Sequence, residues 1–150
     1  MLYVPSPNDN HVTVIDTARD TVSTIGTGQV PMAVAVNEAT NRVYVVNYGS
    51  SDVTVIDGVA HRAIATIPVG LWPQQIAINA RTNTVYVVNT HADSVSVIDG
   101  KTNRVKATVP TGRGPWALAV AAADDRVYVA NRLSDQVTVI DGRTNRATAR

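Results

Sequence analysis

Apolar and polar positions alternate along this chain in short bursts. The clearest case is 42–57, Arg-Val-Tyr-Val-Val-Asn-Tyr-Gly-Ser-Ser-Asp-Val-Thr-Val-Ile-Asp, where two short apolar runs flank a polar loop. Runs of this kind, rich in β-branched residues and bounded by Gly, Ser, Asn and Asp, read as the paired strands of a hairpin. The hairpin recurs at 84–99 and 126–141, and in a worn form at 2–16.

The recurrence has a fixed period. Tyr3, Tyr44, Tyr86 and Tyr128 stand 41, 42 and 42 residues apart, and so do Asp16, Asp57, Asp99 and Asp141. Gly28, Gly70 and Gly112, like Pro31, Pro73 and Pro115, repeat every 42 residues. A period of roughly 40–45 is that of a four-stranded propeller blade. One residue is missing from the first copy, between Asp16 and Val22. The turn after Asp16 also lacks the Gly that follows Asp57, Asp99 and Asp141, which predicts a different turn there.

Each repeat divides into four strands, in the second copy 32–37, 42–47, 52–57 and 62–69. The first strand carries small residues (Ala33, Ala35, Ala77, Ala117, Ala119), which suit strands converging on a central axis. The second, Val43-Tyr44-Val45-Val46, is apolar on both faces and should be covered on both. Tyr44, Tyr86 and Tyr128 are therefore expected inside, with their hydroxyls paired. The fourth carries Arg62, Arg104 and Lys106 with Pro68 and Pro110. Charge and proline belong on an edge strand, so the order runs from inner to outer. Asn and Asp mark the turns, as residues that hydrogen-bond local backbone. The expected fold is all-β: a propeller of four-stranded antiparallel blades, about 3.5–4 per chain, in one domain over 1–150. The repeats run approximately 2–30, 31–72, 73–114 and 115–150.

Composition narrows this picture. Apolar residues make up 45% but aromatics only 5%, with no Phe, which favours many thin strands. The formal charge of +1, with no block of like charge, gives no reason to expect nucleic acid or an anionic membrane. No run approaches the roughly 20 apolar residues of a membrane span. No signal-peptide pattern opens the sequence, and without Cys there is no thiol chemistry.

The elements Pro-x-x-Val-Ala-Val-Asn, Thr-Asn-Arg-Val-Tyr-Val-Val-Asn, Asp-x-Val-x-Val-Ile-Asp-Gly and Ala-Thr-Ile-Pro-Val-Gly follow one another here over nearly the whole chain. That series resembles the YVTN-type β-propeller repeat, in about three and a half copies. The resemblance implies propeller architecture and an extracellular or cell-surface setting, and no single activity. Met1 stands directly before a second strand, and Arg150 falls inside a fourth strand. The expectation is a piece of a larger propeller, or copies that associate, with a dimer of about eight blades as the simplest closed solution.

Alternating strand direction puts the loops on two rims. Turns after first and third strands repeat nearly verbatim. Loops after second and fourth strands vary: 29–32, 71–74 and 113–116, with 48–51, 90–92 and 132–134. This variable rim carries Trp72, Trp116, Arg113, His91, Arg132 and Tyr48, which are the candidate ligand-binding residues. The competing structural reading has both Trp residues plugging gaps between blades, and both Arg residues at solvated loop ends. Asp9, Asp52, Asp93 and Asp135 also stand near this rim. They could ring a cation, but strand-entry turns account for them.

His11, His61 and His91 occupy three different repeat positions, and no pair has metal-ligand spacing. No phosphate loop or nucleophile elbow occurs. No catalytic residue, metal or cofactor is assigned. The leading functional reading is a non-catalytic binding or protein-interaction module for a small-molecule or protein ligand. The alternatives are a propeller enzyme, a lyase or hydrolase with His91 and Asp93 at the channel mouth, and an architectural self-assembling fragment.

Overall fold

A computed structural model describes residues 1–149; Arg150 and its expected place in a fourth strand lie outside the described residues. Among the described residues, fifteen strands form four antiparallel sheets, each ordered by chain sequence. The first blade has three strands, β1 (Leu2–Ser6), β2 (His11–Asp16) and β3 (Thr21–Gly26). The second has β4 (Pro31–Asn37), β5 (Arg42–Asn47), β6 (Asp52–Asp57) and β7 (Arg62–Pro68). The third has β8 (Pro73–Asn79), β9 (Thr84–Asn89), β10 (Ser94–Asp99) and β11 (Arg104–Pro110). The fourth has β12 (Pro115–Ala121), β13 (Arg126–Asn131), β14 (Gln136–Asp141) and β15 (Arg146–Ala149). No helix long and apolar enough to cross a membrane is present among the described residues.

The core lies between blades rather than within them. Tyr44, Val46, Val53, Val55 and Ile67 of the second blade pack on Ile76, Val85, Val87 and Ile98 of the third. Tyr86, Val88, Val95, Val97 and Val109 of the third meet Val127, Val129 and Ile140 of the fourth in the same way. Tyr3, Val12, Val14 and Ile25 of the first meet Val43, Val45 and Ile56. Each blade thus offers a tyrosine face to the next and a valine face to the one before. No core cluster joins the first blade to the fourth among the described residues, so the four blades form an open arc.

The arc corrects the expectation for Tyr128. Tyr44 and Tyr86 are fully buried, but Tyr128 is 39% exposed, because among the described residues no further blade lies over its face. Nor are the buried hydroxyls paired. Tyr44 Oη and Tyr86 Oη have no hydrogen-bond partner among the described residues. Burial pushes the Tyr86 phenol up to about 12, with Asp125 and Asp141 adding to it.

The turn after Asp16 is also corrected. Asp16 Oδ1 accepts the N–H groups of Ala18 and Arg19 at 3.0 and 3.2 Å. Asp57 Oδ1 accepts those of Val59 and Ala60 at 2.9 and 3.0 Å. Asp20 and His61, at matching positions, both have positive φ, 54° and 50°. The two turns are alike, Thr17 standing where Gly58 does. The missing residue is a β-bulge: β7 spends an extra residue, Ile64, between the pairs Val55↔Ala65 and Ile56↔Ala63. β3 pairs with β2 without a shift. A one-residue loss can therefore be absorbed by removing a bulge, which leaves the side-chain alternation intact.

Candidate functional site

Backbone ties assemble the variable rim from two loops per blade. Tyr48 N–H donates to Val30 O at 2.9 Å, Thr90 N–H to Trp72 O at 3.1 Å, and Arg132 N–H to Gly114 O at 2.9 Å. The next residue repeats the pattern, with Gly49, His91 and Leu133 donating to Gln29, Leu71 and Arg113. The rim is therefore a rigid periodic platform whose side chains differ at each position.

On it the candidates fall into two groups. Tyr48 stacks on Trp72 with centroids 5.6 Å apart, and His91 lies on the same indole at 4.4 Å. This three-ring stack draws on the second and third blades. In the fourth blade, Arg132 lies over Trp116 with its guanidinium carbon 4.9 Å from the ring centroid, within cation–π range. Arg113 Nη2 donates to Leu133 O at 3.2 Å and stays exposed. Trp72 and Trp116 are 46% and 45% exposed, so neither plugs a gap between blades. Trp116 is not a loop residue: it is the extra residue at the bulge that opens β12, between Pro115 and Ala117.

The backbone under Trp72 is unusual. Trp72 has φ 51°, and so does its counterpart Val30 at 53°, while the third residue at this position is Gly114 at 60°. All three precede a proline. Left-handed backbone disfavours a side chain, and a β-branched one most. Glycine meets the requirement without strain in the fourth blade. The fold therefore does not need a tryptophan at this position.

The polar candidates serve the backbone. Asp93 Oδ1 accepts Gly114 N–H at 2.7 Å, and Asn10 Oδ1 accepts Val30 N–H at 3.0 Å. Asp93 and Asp135 share a position with Asn10 and Ser51, all at positive φ, whereas Asp52 begins β6 and donates no ring member there. The four aspartates do not form one ring, and no group of three potential metal ligands occurs among the described residues. His91 sits on Trp72, and the Asp93 carboxylate accepts the Gly114 N–H.

Sequence reasoning missed two sets of structural polar residues. Asn47 Nδ2 donates to Thr54 Oγ1 at 2.8 Å, and that hydroxyl accepts Gly28 N–H at 3.2 Å. Asn131, Thr138 and Gly112 repeat the arrangement. On the opposite rim, Asn37 Nδ2 donates to Asn83 Oδ1 at 2.8 Å, and Asn79 Nδ2 to Asp125 Oδ1 at 2.7 Å, locking the second blade to the third and the third to the fourth. The signal was there as Asn at a fixed repeat position.

A hollow of 690 Å³ lies on that opposite rim, with Arg81, Asp124, Asp125, Arg126, Asp141 and Arg143 in its wall. Its charges balance, Asp125 is held by Asn79, and Asp141 closes its own turn. On the variable rim a 340 Å³ hollow is lined by Trp116, Ala130, Arg132, Asp135 and Val137. The larger space is thus walled by turn-forming carboxylates and solvated arginines, and the smaller by exposed apolar and aromatic surface, which is the better basis for binding.

Residues 75–150 match the YNCE-like β-propeller family. The chain belongs to that family. Among solved structures, this YNCE-like chain is similar to Kuenenia stuttgartiensis hydrazine synthase, with a TM-score of 0.89 and 23% identity over 98% of this chain and 44% of that one. It is similar to the dihydro-heme d1 dehydrogenase NirN, whose structure holds DHE, with a TM-score of 0.80 and 17% identity over 92% and 31%. AztD from Citrobacter koseri gives 0.72 and 16% over 93% and 40%. At these identities the likeness is one of fold. The chain spans less than half the length of each of these three proteins. No curated protein matches it.

Proposed function

We propose that this propeller is a non-catalytic binding module whose variable rim takes a small-molecule or protein ligand through Trp72, Trp116, Arg113, His91, Arg132 and Tyr48. One observation carries the reading: Trp72 is held half-exposed on left-handed backbone where the repeat accepts glycine. Strain kept at a position that the fold can fill without it points to use. Stacked rings and an Arg–Trp pair suit planar, ring-bearing or cationic groups. The enzyme alternative drew on His91 beside Asp93, and their separate engagements give it no support. Association of copies, a dimer in the simplest case, goes with the exposed faces of the end blades.

Trp72→Gly tests the rim. Tryptophan fluorescence is followed while the protein is titrated with oligosaccharides, tetramethylammonium and aromatic-rich peptides. The variant should keep or raise the unfolding midpoint and lose the response that wild type gives. A variant that unfolds, while its folded fraction still binds, would show that Trp72 serves the scaffold.

A further inference from the structure

We infer that the corner between the second and third blades, where Gly70, Asp93, Ser94 and Ser96 line a hollow, binds a neutral polyhydroxyl ligand, a saccharide. This rests on the reading of the variable rim as a binding surface and names its ligand class. The corner lies at an internal seam, away from both end blades.

The other two seams supply the comparison. Each loop that crosses to the next blade reads Gly-x-x-Pro. Its three N–H groups end on side-chain oxygens. Gly28 donates to Thr54 Oγ1 at 3.2 Å, Gln29 to Ser50 Oγ at 2.9 Å and Val30 to Asn10 Oδ1 at 3.0 Å. Gly112, Arg113 and Gly114 donate likewise to Thr138, Ser134 and Asp93, at 3.1, 3.1 and 2.7 Å. Gly70, Leu71 and Trp72 hold the same places, but their N–H groups have no acceptor among the described residues. Three replacements account for this. Ala92 stands where Ser50 and Ser134 do and has no oxygen. The shorter Ser51 stands where Asn10 and Asp93 do. Ser96 stands where Thr54 and Thr138 do, without the methyl that stiffens a threonine. A fourth, Ser94 in place of Asp52, cuts back the same face of β10. The hollow at this corner is 510 Å³, within the roughly 300–1,000 Å³ of small-molecule pockets.

The missing groups identify the ligand. At the other seams the first two N–H groups meet hydroxyl oxygens, so hydroxyl oxygens are what this corner lacks. Ser94 Oγ and Ser96 Oγ each accept from Asn89 Nδ2, at 3.2 and 2.9 Å, which leaves their own protons to donate. Asp93 Oδ1 is taken by Gly114 N–H, and its second oxygen is left to accept. A ligand hydroxyl both accepts and donates, so it suits the amides and the carboxylate together. An oxyanion would face that carboxylate with no Lys or Arg in the wall. The Tyr48–Trp72–His91 stack stands on the same pair of loops, fixed there by the bonds from Thr90 to Trp72 and from His91 to Leu71. Aromatic surface beside a few placed polar groups suits a sugar ring, which has an apolar face and a hydroxyl edge.

The test follows the amide resonances of the whole, isotopically labelled chain. It is titrated with maltose, cellobiose and chitobiose, and separately with inorganic phosphate. At least one disaccharide should shift the amides of Gly70, Leu71 and Trp72. The double variant Ala92→Ser, Ser96→Thr restores the oxygens of the neighbouring seams. It should keep or raise the urea midpoint and weaken that disaccharide about tenfold or more, because two ligand hydrogen bonds are lost. If it unfolds, Ala92→Ser alone, at an exposed loop residue, carries the same comparison. Amides that shift with phosphate and with no disaccharide would overturn the saccharide assignment. A disaccharide that changes tryptophan fluorescence but binds the double variant as tightly as wild type would keep the rim and overturn this corner. Tetramethylammonium or aromatic-rich peptides that bind, with no disaccharide moving these amides at tens of millimolar, would do the same. No response to any probe would overturn this corner and the rim reading together.

Discussion

Tyr86 is the place to measure how the blades are held. Its ring is fully buried between the third and fourth blades, among Val88, Val95, Val97, Val127, Val129 and Ile140. Truncating a large buried aromatic to Ala costs about 3–5 kcal/mol, because the cavity adds to the lost transfer energy. With a urea slope of about 2 kcal/mol/M, that lowers the unfolding midpoint by roughly 2 M. Tyr128→Ala removes the same side chain from a face with no neighbour, and should cost only about 1 kcal/mol. Tyr86→Phe separates ring from hydroxyl. A buried polar group left unpaired costs about 1–3 kcal/mol, so removing it should leave stability unchanged or raised. The phenol adds a pH signature. Its pKa is raised from 10.0 to about 12 in the fold. Its contribution is therefore complete below pH 10 and is lost as pH rises through about 12. Wild type should lose stability over that window and Tyr86→Phe should lose less. The assay is urea unfolding followed by circular dichroism. Hydrogen exchange should show the fourth blade loosening first in Tyr86→Ala, since repeats couple to their neighbours. A Tyr86→Ala loss under about 1 kcal/mol would refute the inter-blade core, and a Tyr86→Phe loss above about 1 kcal/mol would refute the unpaired hydroxyl.

Asp57 should shape the acid limb. Its carboxyl is held down at about 2, first by Ala60 N–H and then by the Arg42 guanidinium and Val59 N–H. Its contribution is complete above pH 4 and lost as pH falls through about 2, so acid unfolding of Asp57→Asn should show a shallower loss between those values. A wild-type slope in the variant would count against that carboxylate. Gly112→Ala should destabilise by about 1–3 kcal/mol through overpacking, because its added methyl falls 2.5 Å from Ser134 Oγ and 2.8 Å from Asn131 Nδ2. Gly26→Ala, with nothing within 4 Å, is the matched control that should be neutral in the same denaturation series.

The period, the four strands per blade and their inner-to-outer order were legible because each rests on local chemistry repeated several times. Alternation, turn residues and edge prolines all act within a few residues of themselves. What was not legible depends on which blade is next to which. Tyr44, Tyr86 and Tyr128 have the same sequence neighbours, and only the presence or absence of a following blade decides that two are buried and one is not. The short first repeat misled for a related reason. A deletion beside a turn motif points to the turn, but the Asp16 carboxylate and the left-handed Asp20 keep that turn as it is elsewhere. A bulge is the cheaper site, because a strand can lose its extra residue without moving any other side chain to the opposite face. At the rim, the sequence placed Trp72, Tyr48 and His91 on one side but could not bring them together. Their stack exists because the loop after β5 and the loop after β9 are each clipped to the pre-proline turn beside them, at Val30 and at Trp72. The same clip forces left-handed backbone on whatever residue precedes the proline. Glycine meets that backbone without strain at Gly114, whereas Val30 and Trp72 both hold it with a side chain. What sets Trp72 apart from Val30 is that its strained backbone carries a half-exposed indole stacked between Tyr48 and His91, and this is the kind of local inconsistency by which a binding surface differs from the scaffold beneath it.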